Sequence, residues 1–154
     1  RKTAALFAAA CHGAALLHNA DHHIAEALHD YGMNLGIAFQ LADDLLDYAG
    51  DPSLTGKNIG DDLNEGKITL PLLHAMKVGD ERDRRIVGEA LRHKDGGAFA
   101  EVMSVVQRTG GLDATRQAAI QHQQQATHAL DQLEHTAARE TLRLMATQAV
   151  DRPN

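Results

Sequence analysis

The sequence predicts an all-α bundle. Three observations lead there. Ala, Leu, Gln, Glu and Arg, all good helix formers, recur along most of the 154 residues. Pro occurs only three times, and no alternating apolar/polar run of strand character is present. Helix start and stop signals recur at spacings that suit helices packed side by side. A chain of this length can bury a core. The apolar runs are too short for a transmembrane span. The acidic balance, net charge −6, and 3% aromatic content argue against a nucleic-acid partner.

The first helix is expected over about Lys2 to Leu17, rich in small residues, with Gly13 allowing a neighbour to approach. Its start carries no cap, so the chain reads as the C-terminal part of a longer protein. Asp21 is placed to cap a long second helix over about 22 to 49. That helix ends by Gly50-Asp51-Pro52, because Pro cannot continue it. A loop follows from Ser53 to Lys67. Thr69 caps the next helix, with Pro71 in its first turn. Asp80 and Asp83 resemble a capping box before a helix of about 82 to 92. Another spans about Ala98 to Thr109 and stops at Gly110-Gly111. A long amphipathic helix over about Leu112 to Leu133 is expected to use Leu112, Ile120, Thr127, Leu130 and Leu133. The last, over about Thr136 to Ala149, is expected to bury Leu142, Met145 and Ala149.

The second helix carries the most informative residues. Gly32, Gly36, Gln40, Asp43 and Asp47 form one stripe at helical spacing, beside an apolar stripe of Leu35, Phe39, Ala42 and Leu46. Asp is a mediocre helix former, and like charges four apart repel by a few tenths of a kcal/mol or so. Desolvation among Phe, Leu and Ala adds to the cost. A divalent cation reverses that balance. Hard oxygen ligands at this spacing suit Mg²⁺, which takes one or two carboxylates and completes its shell with water and phosphate. Residues 43–65 hold seven acids against the single Lys57, a net of −6 that equals the charge of the whole chain. Lys57 would supply a point charge for a phosphate, and Gln40 a donor one turn before Asp43. Lys2 and Thr3, on a neighbouring helix, would complete the ring.

Ten histidines invite a metal reading, but none stands at zinc-finger spacing and no H-E-x-x-H motif occurs. They read as surface or helix-end residues. The single Cys11, among alanines, reads as an inert thiol and excludes a disulfide within the chain.

At these residues the sequence resembles the trans-isoprenyl diphosphate synthases. Their second aspartate-rich motif, G-x-x-F-Q-x-x-D-D-x-x-D, is matched by Gly36, Phe39, Gln40, Asp43, Asp44 and Asp47. The block G-K-x-x-G-x-D-L-x-E-G-K-x-T-L-P is matched from Gly56 to Pro71 at every fixed position. The family's K-T pair is matched by Lys2-Thr3. The wording from Lys57 to Lys67 and from Leu70 to Met76 is closest to the bacterial octaprenyl branch. The resemblance weakens after about residue 80.

The resemblance implies the isoprenoid synthase-type helical bundle, with residues 1–154 as the C-terminal half of one synthase domain. It implies Mg²⁺ at Asp43 and Asp47, with Asp44 an outer partner. It implies an allylic diphosphate held by Lys2, Thr3, Gln40 and Lys57, with Lys2 and Lys57 catalytic. The implied reaction is head-to-tail condensation with isopentenyl diphosphate by a cytoplasmic homodimer, for quinone side chains. The family's first aspartate motif has no counterpart here, since the only paired aspartates are Asp43-Asp44 and Asp61-Asp62. The isolated chain is therefore expected to be inactive. Alternatives are a shorter-chain synthase, a terpene cyclase of the same bundle, and a non-catalytic subunit of a heteromeric synthase. The block from Gly56 to Pro71 disfavours the cyclase. The intact Asp43, Asp47 and Lys57 disfavour the non-catalytic subunit.

Overall fold

The computed structural model describes residues 2–49, 60–94 and 96–151, apart from the side chain of Ala49. Eight α-helices are present among them: α1 (Lys2–Leu17), α2 (His22–Ala49), α3 (Asp61–Asn64), α4 (Leu70–Val78), α5 (Glu81–His93), α6 (Phe99–Arg108), α7 (Gly111–Ala129) and α8 (Ala137–Val150). Two 3₁₀ turns, Gly96–Ala98 and Leu130–Gln132, precede α6 and follow α7. No β-strand occurs among the described residues. The chain divides into two compact units. One comprises residues 1–42 and 118–153, the other essentially residues 43–117, and α2 and α7 each run from one into the other.

The first unit is built on a close helix pair. A Cβ at Gly32 would lie 2.6 Å from the Phe7 carbonyl oxygen, and one at Gly36 would lie 2.6 Å from the Ala4 Cα. The small residues of the α2 stripe thus let two backbones touch, while Gly13 meets nothing within 4 Å. The expectation that Gly13 admits a neighbour is corrected: the close approach is made at Gly32 and Gly36. Tyr31, Leu35, Ala126, Leu130, Ala146 and Ala149 form the core, with Phe7, Leu28 and Leu142 against it. Polar links fasten the layers. The Tyr31 hydroxyl donates to the Leu142 carbonyl at 2.9 Å, and His122 Nδ1 pairs with Asn34 Oδ1 at 2.8 Å. Asp131 draws in Arg139 at 2.9 Å and also Arg143, tying the 3₁₀ turn to α8.

Two expectations fail in this unit. Met145 is 50% exposed rather than buried, because Ala146 and Ala149 carry the inward face of α8. The long helix also ends at Ala129, where the chain tightens into the 3₁₀ turn that buries Leu130.

The second unit closes around Tyr48, Leu63, Leu72, Val87, Val102, Val105 and Val106. The Asp80–Asp83 capping box forms, with the Asp83 N–H donating to Asp80 at 2.9 Å and the Asp80 N–H to Asp83 at 3.2 Å. Asp83 also receives both Arg108 Nη atoms, at 3.0 and 2.6 Å, and this guanidinium holds its carboxyl below the usual carboxylate range. Gly110, past the end of α6, takes φ 75°, in keeping with the predicted stop. Thr69 occupies the N-cap position of α4, but its side chain makes no cap hydrogen bond. The N-cap position and Pro71 in the first turn are as expected, while the hydroxyl pairs instead with the Tyr48 hydroxyl at 3.1 Å inside the core. The short α3 also replaces part of the expected loop.

Candidate functional site

α2 runs unbroken from His22 to Ala49, so the aspartates sit inside a helix as their spacing requires. Asp44 and Asp47 are buried, at 6% and 7% exposure, and Asp43 is half-buried. Uncompensated carboxylates are costly at such positions, and the second unit supplies the compensation. Lys67 Nζ donates to Asp44 Oδ1 at 3.2 Å and to both Asp62 oxygens at 3.0 Å. Burial alone would lower the Lys67 pKa, but the hydrogen bond to Asp62 and the charge of Asp44 outweigh it and hold the ammonium protonated.

Asp47 is compensated differently. The Asp62 N–H donates to both its carboxylate oxygens at 3.3 Å, and the Gly60 N–H donates to its backbone carbonyl at 3.0 Å. Burial, then the charge of Asp62, push its pKa up to about 6. Among the described residues, two acids, Asp61 and Asp62, and one cation, Lys67, act on Asp47. No group of three or more His, Cys, Asp or Glu is gathered into a metal cluster among the described residues. The donor set nonetheless fits Mg²⁺, which needs only one or two carboxylates beside water and phosphate. Asp43 and Asp47 suit that role. Asp44, clasped by Lys67, suits the outer one.

In the first unit, Lys2 opens α1 and is exposed, while Thr3 and Gln40 are half-buried. The Thr3 hydroxyl donates to Gln40 Oε1 at 3.4 Å, so the structure brings these two together. Beside them lies an apolar pocket of about 670 Å³, lined by Ala4, Ala5, Met33, Ile37, Leu41 and Gln40. Such a cavity, with one polar side chain, suits a ligand with a hydrocarbon part. Lys57 lies outside the described residues.

The sequence shows Asp62 as one acid of the segment 43–65 and Lys67 as a fixed position of the block from Gly56 to Pro71. Their role as the clasp on Asp44 and the amide on Asp47 was missed. The available signal was a lysine behind an acid-rich turn with buried acids upstream.

The helical bundle thus gathers carboxylates of α2 and α3 beside one lysine, Lys67. The sequence profile of the polyprenyl synthetase family matches residues 1–109, and the chain belongs to that family. It is 44% identical over 152 residues to octaprenyl diphosphate synthase of Escherichia coli, covering 98% of this chain and 47% of that protein. It is 40% identical to the Haemophilus influenzae octaprenyl diphosphate synthase, covering 98% and 46%. A crystal structure of a polyprenyl synthase from Caulobacter crescentus, complexed with calcium and isoprenyl diphosphate, superposes with a TM-score of 0.88 at 42% identity. That match covers 98% of this chain and 47% of the other. The chain spans about half the length of the curated relatives it matches. The all-α fold is thus shared with isoprenyl synthases.

Proposed function

We propose that this chain is the part of a polyprenyl diphosphate synthase that holds the allylic diphosphate through Mg²⁺. The observation that carries the reading is Asp47, a buried carboxylate next to further acids, with its pKa up to about 6. Such a site is disfavoured by folding alone and is relieved by a cation. Asp43 and Asp47 are the proposed ligands, and Asp44, with Lys67, orients them. Lys2, Thr3, Gln40 and Lys57 bind the diphosphate oxygens. The pocket beside Gln40 takes the hydrocarbon. Mg²⁺, when bound, offsets the negative charge that gathers on the departing diphosphate. Lys2 and Lys57 share that task as point charges. The allylic carbon then becomes electrophilic, and the double bond of isopentenyl diphosphate attacks it with loss of a proton.

The product is proposed to be octaprenyl diphosphate, for quinone side chains, because the relatives reported above are octaprenyl synthases at 44% and 40% identity. The whole enzyme is proposed to be a cytoplasmic homodimer in which residues 1–154 form the C-terminal half of one domain. No described helix is long and apolar enough to cross a membrane. Calorimetric titration with a non-hydrolysable farnesyl diphosphate analogue, with and without Mg²⁺, tests the site. Binding that requires Mg²⁺ and disappears in Asp47→Asn supports it, and binding indifferent to both refutes it.

A further inference from the structure

We propose that Phe99 is a positioning residue of this candidate site, although it lies far along the chain from the motifs that mark it. The inference rests on the reading of Asp47 given above. Phe99 touches both sides of the junction that aims an amide at Asp47. Its ring stacks on Tyr48, the residue after Asp47, with centroids 6.0 Å apart and planes 28° apart. Its Cδ2 lies 2.6 Å from where a Cβ at Gly60 would stand. The ring therefore rests on bare backbone, and Gly60, at φ 86°, is where a side chain would be both strained and obstructed.

Gly60 fixes the start of α3. Its N–H donates to the Asp47 carbonyl at 3.0 Å, and its carbonyl accepts the Asn64 N–H at 3.1 Å. Two residues later the Asp62 N–H reaches the Asp47 carboxylate, and the Lys67 N–H closes onto the Asp62 carbonyl at 2.8 Å. α3 has four residues and cannot hold its shape alone. It is held by tertiary contacts: Leu63 in the core beneath, Phe99 over Gly60, and Gly96 packed so closely that a Cβ would strike the Asn64 side chain. The Phe99 ring spans Tyr48 and Gly60 together. Removing it frees the amide that orients Asp47 and loosens the lysine that clasps Asp44.

The test compares Phe99→Leu (or Phe99→Met where the leucine variant does not fold) with Phe99→Tyr and Val102→Ala. Val102 is a fully buried neighbour on α6, so its truncation destabilises the same core while leaving the Phe99 ring in place. Amide hydrogen exchange is measured on the metal-free chain, and calorimetry with the farnesyl analogue and Mg²⁺ follows. Phe99→Leu is expected to speed exchange at Gly60 and Asp62 about tenfold beyond its effect on the Leu72 and Val105 amides. It is expected to weaken Mg²⁺-dependent binding by about tenfold. Phe99→Tyr is expected to keep both within about twofold of the parent, and Val102→Ala to produce no selective change at Gly60 and Asp62. Uniform exchange in Phe99→Leu, or the same selective effect from Val102→Ala, overturns the inference. Asp47→Asn keeps the two readings separable. If it binds the analogue normally, the site reading fails while the exchange data still decide on Phe99.

Discussion

The backbone N–H of Asp62 donates to both carboxylate oxygens of Asp47 at 3.3 Å, fastening a buried acid on α2 to a second acid on α3. The bond favours the ionised form, whereas burial and the Asp62 charge oppose it more strongly, leaving the pKa at about 6. The folded state thus keeps its proton to a higher pH than the unfolded chain, where the value is 3.8. For this group, stability rises as pH falls from above 6 towards 4 and is then constant. Asp83 acts with the opposite sign. Its lowered pKa gives stability that is present above the ordinary carboxylate range and lost as pH falls through its folded value. Denaturation at pH 7.5 and 5.0, without metal, is expected to show the gap between the two shifting in Asp47→Asn towards lower stability at pH 5.0. A gap unchanged in that variant would remove Asp47 as its source.

Removing Asp43 is expected to weaken Mg²⁺-dependent binding of the allylic analogue about tenfold or more. Asp30→Ala serves as comparison, because Asp30 lies on the same helix but is exposed beside His29. Equal effects of the two changes would mean that bulk negative charge, not position, governs binding.

Gly36→Ala and Gly13→Ala are expected to move stability in opposite directions. Both gain about 0.5–1 kcal/mol of helix propensity. At Gly36 the new methyl meets the Ala4 Cα at 2.6 Å, and overpacking of this kind costs about 1–3 kcal/mol. At Gly13 nothing lies within 4 Å, so the gain stands. Chemical denaturation measures both, and a stabilised Gly36→Ala would show that α1 and α2 can part freely.

These glycines also show where the sequence was legible. The α1 and α2 spans, the Asp80–Asp83 box and the Gly110 stop follow from local rules, because each is settled within one or two helical turns. Which glycine admits a neighbour is a tertiary matter, so Gly13 and Gly36 look alike in sequence. Thr69 carried a good cap signal, yet its hydroxyl is taken by Tyr48, twenty-one positions earlier. Met145 sits at a plausible inward phase of α8, but the alanines fit the core better. In the candidate site the buried acids could be read from the sequence and their partners could not. Lys67 reaches Asp44 across 23 positions of chain, through a fold of α3 too short to have its own periodicity.

Lys67→Ala is expected to lower metal-free stability by about 1–3 kcal/mol, because it takes from two poorly solvated carboxylates a shared hydrogen-bonded cation. Lys67→Arg should recover part of the loss, since a guanidinium can serve both acids with different geometry. Thermal unfolding of the three proteins reads the effect. A neutral Lys67→Ala would show that the clasp contributes nothing to folding.

The chain by itself is expected to make no polyprenyl diphosphate. Head-to-tail condensation needs two diphosphates held at once, the allylic carbon close to the attacking double bond, and such positioning contributes roughly 7–11 kcal/mol to lowering a barrier. Only one aspartate-rich motif on an apolar helix is present, and the other paired aspartates, Asp61-Asp62, belong to the same acidic segment. The chain spans about half the length of the curated relatives it matches. The first unit exposes large apolar side chains, among them Leu6 at 71%, Leu17 at 84% and Met145 at 50%. Surfaces of that kind favour association, so the purified chain is also expected to sediment as more than a monomer. Incubation with farnesyl and isopentenyl diphosphates and Mg²⁺, followed by lipid extraction, provides the measurement. Absence of long-chain product, together with Mg²⁺-dependent binding of the allylic analogue, is the expected result. Long-chain product at the rate of a full-length relative would show that both diphosphate sites lie within these 154 residues.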